Sequence, residues 1–417
     1  MDHARLNRQL TIGIIAGLAL GLLLAKGVIP PQIVGINIVE LSRLAGKIFV
    51  LLLKMVAVPL VAFSIFCGVT SLGDVTKVGS LGKRTLTYYA ATTLFAVTLG
   101  LIMVNLIKPG VGLEQAAADL PDSVAAAKDL TVSAMLNKQV SQFLINPFQA
   151  LANGTGSMIA IIISAIFLGI GILKSDHPGK SVFLQVMQVL NDAILRLTTM
   201  VLALAPIGVF GILVRVLYDK RDNLDDLFKS LGWFALTAML CLTIQGLIVI
   251  PILVKKFAGV SYKKFFNGIA EPMKVAFGTA LKNNFNVSDE TADFVVPLGA
   301  TLNMDGTALY EAVCALFIAQ ALGVDLSLFQ QVIVLFTATI ASVGAAGIPS
   351  AGLVTLVIVL NAVGIPYELG APYIGMIFTI DRFIDMCRTM VNVEGDCAGS
   401  LIVDKMSKDA ATAQKAA

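Results

Sequence analysis

Five polar side chains recur at helical spacing near the end of the chain. They are Asp381, Asp385, Arg388, Asn392 and Asp396, separated by four, three, four and four residues. On an α-helix this spacing places all five on one stripe. Because each charge at the centre of a membrane helix costs about 2.5–3.5 kcal/mol on insertion scales, such a stripe in an apolar chain predicts a polar binding site.

The alternative for this stripe is a ladder of internal salt bridges that only holds helices together. Arg388 can pair with Asp385 one turn away, but Asp381 and Asp396 are then left over. Across residues 381–396 four acids face two arginines, so the local charge is negative. A negative stripe in hydrocarbon is suited to holding cations, and we therefore interpret it as functional.

A second polar group, Thr-Leu-Asn-Met-Asp-Gly-Thr at residues 301–307, interrupts an apolar run from Phe294 to Ala321. Asn, Asp and Gly together favour unwinding, and a membrane tolerates unwound backbone only where it lines a site. Freed carbonyls with the side chains of Asn303 and Asp305 offer the hard oxygen ligands that alkali cations prefer. A kinked helix in which Asp305 bonds to a neighbour is the alternative.

Small residues break a third apolar stretch at residues 341–352, Ala-Ser-Val-Gly-Ala-Ala-Gly-Ile-Pro-Ser-Ala-Gly. Half-helix N-termini direct N–H groups at anions, and half-helix C-termini direct carbonyls at cations. A glycine-rich tip over a site is also a natural gate. Close helix packing through glycine is the alternative, although it does not account for Pro349.

Tyr89, Thr92 and Thr93 share one face of a further apolar segment. Threonine commonly bonds back to its own helix. By itself this face is therefore a weak indication of a site.

The composition indicates an integral membrane protein. The 417 residues are 57% hydrophobic and 14% charged, with a mean hydropathy of +0.86, whereas soluble domains are roughly a quarter charged. No basic block suits nucleic acid, since 30 Lys and Arg balance 27 Asp and Glu. The five cysteines show no paired spacing and His3 lies far from His177, so we expect neither disulfides nor a histidine metal site.

The hydropathy pattern predicts an all-α integral membrane fold of eight transmembrane helices plus two re-entrant helical hairpins. The first apolar run resembles a signal peptide, but in a chain this hydrophobic we expect a transmembrane helix. Lys and Arg cluster in alternate loops, which predicts a multi-pass protein with N- and C-termini cytoplasmic. The spans are expected near residues 9–27, 40–72, 84–107, 140–173, 182–218, 229–254, 291–322 and 371–403, with hairpins at 264–290 and 326–364.

These motifs resemble the glutamate/aspartate:cation symporters, the family of the excitatory amino acid transporters and their prokaryotic relatives. The most specific matches are Asn-Met-Asp-Gly-Thr at 303–307, Ser-Val-Gly-Ala-Ala-Gly-Ile-Pro-Ser-Ala-Gly at 342–352 and Asp-Met-Cys-Arg-Thr-Met-Val-Asn-Val-Glu-Gly-Asp at 385–396. The resemblance implies a homotrimer in the cell (inner) membrane. In each protomer an elevator-type transport domain would slide against a static scaffold domain.

The resemblance also implies the domain boundaries. The scaffold would comprise residues 1–76, with spans one and two, and residues 110–222, with spans four and five. The transport domain would comprise residues 77–109, with span three, and residues 223–417, with span six, hairpin one, span seven, hairpin two and span eight.

Matching positions imply roles in binding an acidic amino acid, L-aspartate or L-glutamate. Arg388 would bind the side-chain carboxylate, for which a planar guanidinium is suited. Asp385 would bind the α-ammonium group, which a plain dicarboxylate lacks. The remaining expected substrate residues are Thr389, Asn392, Thr307, Ile348 and Gly352.

Matching positions also imply three sodium sites, with Na⁺ as the coupling ion and H⁺ as the alternative. We favour sodium because residue 396 is a carboxylate. The first site would use Gly299, Asn303, Asn392 and Asp396. The second would use Thr301, Met304, Ser342, Val343 and Ala345. The third would use Tyr89, Thr92, Thr93, Asn303 and Asp305.

Two positions depart from the family pattern. The family's first hairpin carries a serine-rich tip, whereas here residues 278–280 run directly into residues 281–284, so that tip and part of its return arm are expected to be missing. This would compromise the cytoplasmic gate. Glu394 is the second departure, because a less polar residue is expected there.

Other functions remain open at this point. A proton-coupled glutamate or C4-dicarboxylate symporter would share the fold. An ion channel needs rings of like groups, whereas Arg388 among acids suggests a discrete site. An enzyme is disfavoured, since the sequence shows no Ser/His, Cys/His or His-metal set. Asp381 and Asp385 are a weak candidate for an aspartic protease dyad, because Arg388 would keep Asp385 ionised.

Overall fold

The computed structural model describes residues 3–33, 35–71, 80–113, 140–141, 144–153, 158–270, 284–343 and 351–416. The regular secondary structure of this part of the chain is helical apart from one short hairpin. Its strands β1 (Gln32–Ile33) and β2 (Ile36–Asn37) are antiparallel, with Gln32 opposite Asn37. The predicted all-α class is therefore confirmed.

The helices of the first half are α1 (His3–Ala25), α2 (Ile38–Ser71), α3 (Ser80–Ile107), α4 (Pro147–Ala152), α5 (Met158–Lys174), α6 (Lys180–Leu202), α7 (Ala205–Asp219) and a 3₁₀ turn (Arg221–Asn223). The second half begins with α8 (Leu224–Ile244), a π-helical segment (Gln245–Val249), α9 (Ile250–Leu253) and a second π-helical segment (Val254–Ala258). It continues with α10 (Tyr262–Ile269), α11 (Asp289–Leu302), α12 (Asp305–Ala321), α13 (Leu328–Val343), α14 (Ala351–Ala362) and α15 (Tyr367–Ala416).

Five candidate spans in the described residues are long and apolar enough to cross a membrane, or six if the bent pair α6 and α7 is one span. Helices α5 and α13 are apolar but shorter, and α15 carries the buried charges. The multi-pass membrane class is thus confirmed. The count of eight spans, the membrane orientation and the division into two domains stay predictions.

Two predicted spans have a different form in the structure. The span at 182–218 is broken between α6 and α7, which are inclined at 49°. Pro206 lies in the first turn of α7, and because proline lacks an N–H it favours a helix start over a helix interior. The span at 140–173 is also interrupted, since residues 144–146 are not helical and the long helix there is α5.

Glycine lets the N-terminal helices lie close together. A Cβ at Gly13 of α1 would stand 2.4 Å from the carbonyl oxygen of Pro206 in α7. A Cβ at Gly211 of α7 would stand 2.4 Å from the carbonyl oxygen of Ser42 in α2. Small residues permit such close helix crossings in membranes. Helices α1, α2 and α7 therefore form one closely packed unit, and α5 and α6 pack on α2.

A second set of helices surrounds α12, which is almost wholly buried. Helices α3, α8, α13, α14 and α15 all pack against it. Two of its aromatic rings contact Phe234 of α8. The distance between ring centroids is 4.7 Å for Phe317 and 6.1 Å for Tyr310. A buried central helix of this kind can hold polar groups away from lipid.

Both predicted hairpins show their arms side by side. In the first, the Asn284 amide donates to the Gly268 carbonyl at 2.9 Å. In the second, α13 packs against α14, and the Gln330 amide donates to the Val363 carbonyl at 3.4 Å. Both tips, at residues 271–283 and 344–350, lie outside the described residues. The predicted loss of the serine-rich tip concerns the first of these segments and stays a prediction.

The end of α15 secures the start of α11. Asp404 accepts hydrogen bonds from the Ser288 N–H at 3.1 Å and the Ser288 hydroxyl at 2.8 Å. Ser288 is the N-cap of α11. Lys408 forms an ion pair with Asp404 at 2.6 Å. This network fixes α11 in register with the helix that carries the charged stripe.

We predict that Asp404→Asn lowers the free energy of unfolding by about 1.5–3 kcal/mol, the usual contribution of hydrogen bonds to a charged group. Asp409→Asn is the matched control. It removes a carboxylate from the exposed pair with Lys405, where the expected loss is about 0–1 kcal/mol. Thermal unfolding of both purified variants provides the measurement, and equal losses would contradict the anchoring role of Asp404.

Candidate functional site

The predicted break in the apolar run is present between α11 and α12. Asn303 and Met304 separate the two helices and have non-helical dihedral angles, φ −108° and ψ 81° for Asn303 and φ −114° and ψ 55° for Met304. Both residues are buried. The break thus frees backbone polar groups inside the protein, where only a site or a neighbouring side chain can satisfy them.

The charged stripe of α15 faces this break. Asp381, Asp385, Arg388 and Asp396 are buried, so the stripe does not face lipid. The Asn392 side chain accepts from the Gly306 N–H at 2.8 Å and donates to the Thr307 hydroxyl at 3.1 Å. Because the first N–H groups of a helix lack partners within it, Asn392 satisfies a free donor at the start of α12.

Asp396 lies on the other side of the break. Its carboxylate accepts from the Asn303 amide at 2.9 Å. A Cβ at Gly299 would stand 2.3 Å from the Asp396 carboxylate and 2.5 Å from the Tyr89 hydroxyl. Tyr89 in turn donates to the Val295 carbonyl at 2.8 Å. Three of the four predicted ligands of the first sodium site, Gly299, Asn303 and Asp396, are therefore adjacent, with Tyr89 of α3 beside them.

Asp305 is fully buried at the start of α12. One carboxylate oxygen accepts from the Thr93 hydroxyl at 2.6 Å and from the Thr92 hydroxyl at 3.3 Å. The other accepts from the Gln245 amide at 3.2 Å. The hydroxyl face of α3, weak as a signal in the sequence, thus contacts the acid of the broken helix.

Arg388 is 3% exposed and lies at the centre of the stripe. One of its nitrogens hydrogen-bonds Asp385, and another is 3.8 Å from Asp381. Its guanidinium carbon lies 4.7 Å from the centroid of the Tyr310 ring, a cation–π arrangement. Its Nη1 has no hydrogen-bond partner among the described residues and points toward Gly352, whose Cβ would be 2.9 Å away.

The predicted residues of the second sodium site are brought together in part. Met304 and Ser342 are buried, while the Ser342 hydroxyl donates to the Thr339 carbonyl of its own helix. Leu302 and Val343, the last residues of α11 and α13, both approach Gly68 of α2. Two helix C-termini therefore meet here, which suits a cation.

Some predicted residues lie elsewhere or outside the description. Thr389 is exposed, and its hydroxyl donates to the Asp385 carbonyl within α15. Its role in substrate binding stays a prediction. The side chain of Thr301 and residues 345 and 348, which include the predicted Ala345 and Ile348, lie outside the part that the structure describes.

Several residues of the site are not predicted by the sequence patterns. Gln245 bonds to Asp305 from the π-helical segment, and Tyr310 stacks on Arg388. Glu311 is fully buried and hydrogen-bonded to the Thr355 hydroxyl. Tyr310 and Glu311 follow Thr307 by three and four residues, so helical spacing within α12 was an available signal. Glu394 is also buried, with its carboxylate against Gly246.

The arrangement suits a monovalent cation coordinated by hard oxygen atoms. This region of the described structure has one buried base, Arg388, and six buried acids, namely Asp305, Glu311, Asp381, Asp385, Glu394 and Asp396. The Asn303 side-chain oxygen is buried and has no hydrogen-bond partner among the described residues, while its amide nitrogen is used by Asp396. A cation there would satisfy this oxygen and offset the negative charge.

The chain is similar over most of its length to known membrane transporters. Residues 6–406 match the model of the sodium:dicarboxylate symporter family. Excitatory amino acid transporter 3 of Mus musculus is 32% identical over 96% of this chain and 86% of its own length. Excitatory amino acid transporter 2 of Homo sapiens is 32% identical over 98% of this chain and 80% of its own. A Caenorhabditis elegans protein named as a sodium-dependent excitatory amino acid transporter, glt-4, is 31% identical over 95% of this chain and 89% of its own length.

The helical membrane fold and the family match together define a membrane transporter and not an enzyme. The chain belongs to the sodium:dicarboxylate symporter family.

We predict that Gly299→Ala disrupts the site, because its Cβ would overlap the Asp396 carboxylate and the Tyr89 hydroxyl. Overpacking of this kind costs about 1–3 kcal/mol of folding free energy. Gly232→Ala in α8 is the control, since a Cβ there meets nothing within 4 Å. Thermal unfolding of both variants measures the difference, and a Gly299 variant as stable as the Gly232 variant would show that the packing at Gly299 is looser than described.

Proposed function

We propose that this protein is a secondary active symporter of an acidic amino acid, L-aspartate or L-glutamate, coupled to sodium ions. The observation that carries the proposal is the buried Arg388, which hydrogen-bonds Asp385. Its Nη1 lies 3.8 Å from Asp381, makes no hydrogen bond among the described residues and faces α14. A buried guanidinium with hydrogen-bonding capacity left at Nη1 can receive a carboxylate.

The two charges on α15 define the substrate class. Arg388 would bind the side-chain carboxylate, and Asp385 one turn away would bind the α-ammonium group. An amino dicarboxylic acid satisfies both, whereas a neutral amino acid leaves Arg388 unmatched and a plain dicarboxylate leaves Asp385 unmatched. Thr307, Asn392 and Gly352 border the same space, with Thr389 and Ile348 proposed to complete it.

Sodium would occupy the oxygen-rich clusters on either side of the break. One ion would be held by Gly299, Asn303, Asn392 and Asp396. A second would be held by Asp305 with Tyr89, Thr92, Thr93 and Asn303. A third would lie at the helix ends, held by Thr301, Met304, Ser342, Val343 and Ala345. A relative from Caenorhabditis elegans is named as sodium-dependent. Because sodium and substrate ligands share Asn392 and the start of α12, binding of one would organise the other.

Movement of the site is proposed to follow the family mechanism. A transport domain of residues 77–109 and 223–417 would slide as an elevator past a scaffold of residues 1–76 and 110–222 in a homotrimer. The protein would lie in the cell (inner) membrane with both termini cytoplasmic. Supporting this division, α1, α2 and α7 pack as one unit while α3, α13, α14 and α15 pack around α12.

Proton coupling is a second candidate, favoured by Glu311. This residue is fully buried, and one of its carboxylate oxygens has no hydrogen-bond partner among the described residues. A carboxyl group in that position is chemically able to carry a proton. Uptake of radiolabelled aspartate and glutamate into liposomes, with each ion gradient imposed separately, distinguishes the two. Uptake driven by a pH gradient without sodium would decide for protons.

We predict that Arg388→Cys weakens the binding of aspartate and glutamate by at least about 30-fold, because removing one member of a buried charge pair costs roughly 2–5 kcal/mol. Neutral amino acids should then bind in preference. Arg196→Cys, at an exposed position of α6, is the control. Competition binding to the purified proteins provides the measurement, and unchanged aspartate affinity in the Arg388 variant would refute the assigned role.

We predict that Asp396→Asn raises the sodium concentration needed for half-maximal substrate binding by at least about ten-fold, a change of roughly 1.4 kcal/mol. The variant keeps the size of the side chain and removes its charge. Asp192→Asn, exposed on α6, should leave the sodium requirement unchanged. A sodium titration of the two variants is the measurement, and identical curves would exclude Asp396 as a ligand.

A further inference from the structure

A cavity of about 920 Å³ lies against α3. It is next to the group formed by Asp305, Thr92 and Thr93, here called the Asp305 cluster. Helix α3, the two π-helical segments with α9, and the end of α15 form its walls. It is separate from the space between Arg388 and Gly352. None of the residues assigned to substrate binding lines it, although Thr92, which donates to Asp305, lies in its wall.

The cavity is polar at one end and apolar along its length. Lys83, Thr87, Ala91 and Phe95 of α3 all line it and recur every four residues, so they form one face of the helix. The helical rise from Lys83 to Phe95, twelve positions further on, is about 18 Å. This length is close to one leaflet of a bilayer, about 15 Å, since the hydrocarbon core is about 30 Å thick.

The polar end is positively charged. Lys83 and Arg84 both line the cavity, Lys83 is exposed, and the Arg84 guanidinium donates to the Ser407 hydroxyl at 2.9 Å. Neither forms an ion pair with an acid among the described residues. Basic groups at the end of a pocket between transmembrane helices attract anionic lipid headgroups.

Large exposed apolar side chains also line the cavity. Phe95, Ile252 and Phe257 are 52%, 57% and 47% exposed, and all three line the cavity. The π-helical segments at 245–249 and 254–258 flank α9 on this wall. In a membrane these side chains would face acyl chains, so the cavity is accessible from the bilayer without passing through water.

We propose that this cavity binds an anionic phospholipid of the bilayer, with its headgroup at Lys83 and Arg84 and an acyl chain along α3 to Phe95. The charge complementarity and the match between the length of the α3 face and the leaflet carry the assignment. The chain would cover Tyr88 and Thr92 from the lipid side. It would therefore exclude water from the back of the Asp305 cluster.

Lipid retention tests the site directly. The full-length protein is reconstituted in vesicles of phosphatidylcholine and phosphatidylglycerol in equal parts and extracted in detergent, and the retained lipids are quantified by native mass spectrometry. We expect retention of phosphatidylglycerol in preference to phosphatidylcholine. Lys83→Gln should weaken this retention about five-fold, the expected effect of one basic residue near an anionic headgroup. Lys264→Gln, at an exposed lysine outside the cavity, should not.

A second pair of variants tests the apolar part. Ala91→Leu would fill the cavity, whereas Ala90→Leu places the same side chain on the neighbouring exposed position, which does not line it. We expect only the first to release phosphatidylglycerol. Equal retention of both lipids, or no effect of Lys83→Gln and Ala91→Leu, would overturn the proposal.

A measurement on the unaltered protein does not depend on variant folding. A photoactivatable phosphatidylglycerol in the same vesicles should cross-link to the segments 83–95 and 249–257. Cross-links only at other segments would overturn the proposal. So would retention of added oleate in place of phosphatidylglycerol, since the occupant would then be a free fatty acid.

Discussion

Burial of charge constrains this structure more than any other interaction. Several carboxylates and one guanidinium are removed from water inside an apolar protein, where an uncompensated charge costs several kcal/mol. Arg388 forms ion pairs with Asp381 and Asp385. Asp305 and Asp396 receive hydrogen bonds from hydroxyl and amide groups but no basic partner among the described residues. The protein therefore keeps a negative site that a cation can stabilise.

The break between α11 and α12 makes this compensation possible. It places Asn303 against Asp396 and the first N–H groups of α12 against Asn392. The helix that contains the break has neighbours on all sides, so freed backbone groups stay away from lipid. Gly299 contributes by leaving room for the Asp396 carboxylate and the Tyr89 hydroxyl at the same point. One local interruption thus links the proposed ion ligands to the proposed substrate ligands.

Much of the site could be predicted because its signals are local. The four-residue periodicity of α15 fixed which side chains share a stripe, and Asn, Asp and Gly in one short segment indicated the break. Both depend on helical geometry and on the cost of charge in hydrocarbon, which apply whatever the tertiary structure.

What could not be predicted depends on contacts between distant segments. Gln245 bonds to Asp305 across 60 residues, and nothing in its own apolar surroundings indicates that partner. The π-helical segment that contains Gln245 and the 49° bend before α7 likewise have no periodic signature in the sequence. The structure shows where Glu394 lies, with its carboxylate against Gly246, but gives no reason for a charged residue there.

In the proposed function, ions and substrate occupy one connected site around the break. Equilibrium binding of radiolabelled aspartate to the purified protein, repeated over a range of sodium concentrations with choline as the replacement ion, tests it most directly. Linked binding requires the aspartate affinity to rise steeply with sodium, and sodium affinity to rise with aspartate by the same factor. An aspartate affinity that is independent of sodium would contradict the account.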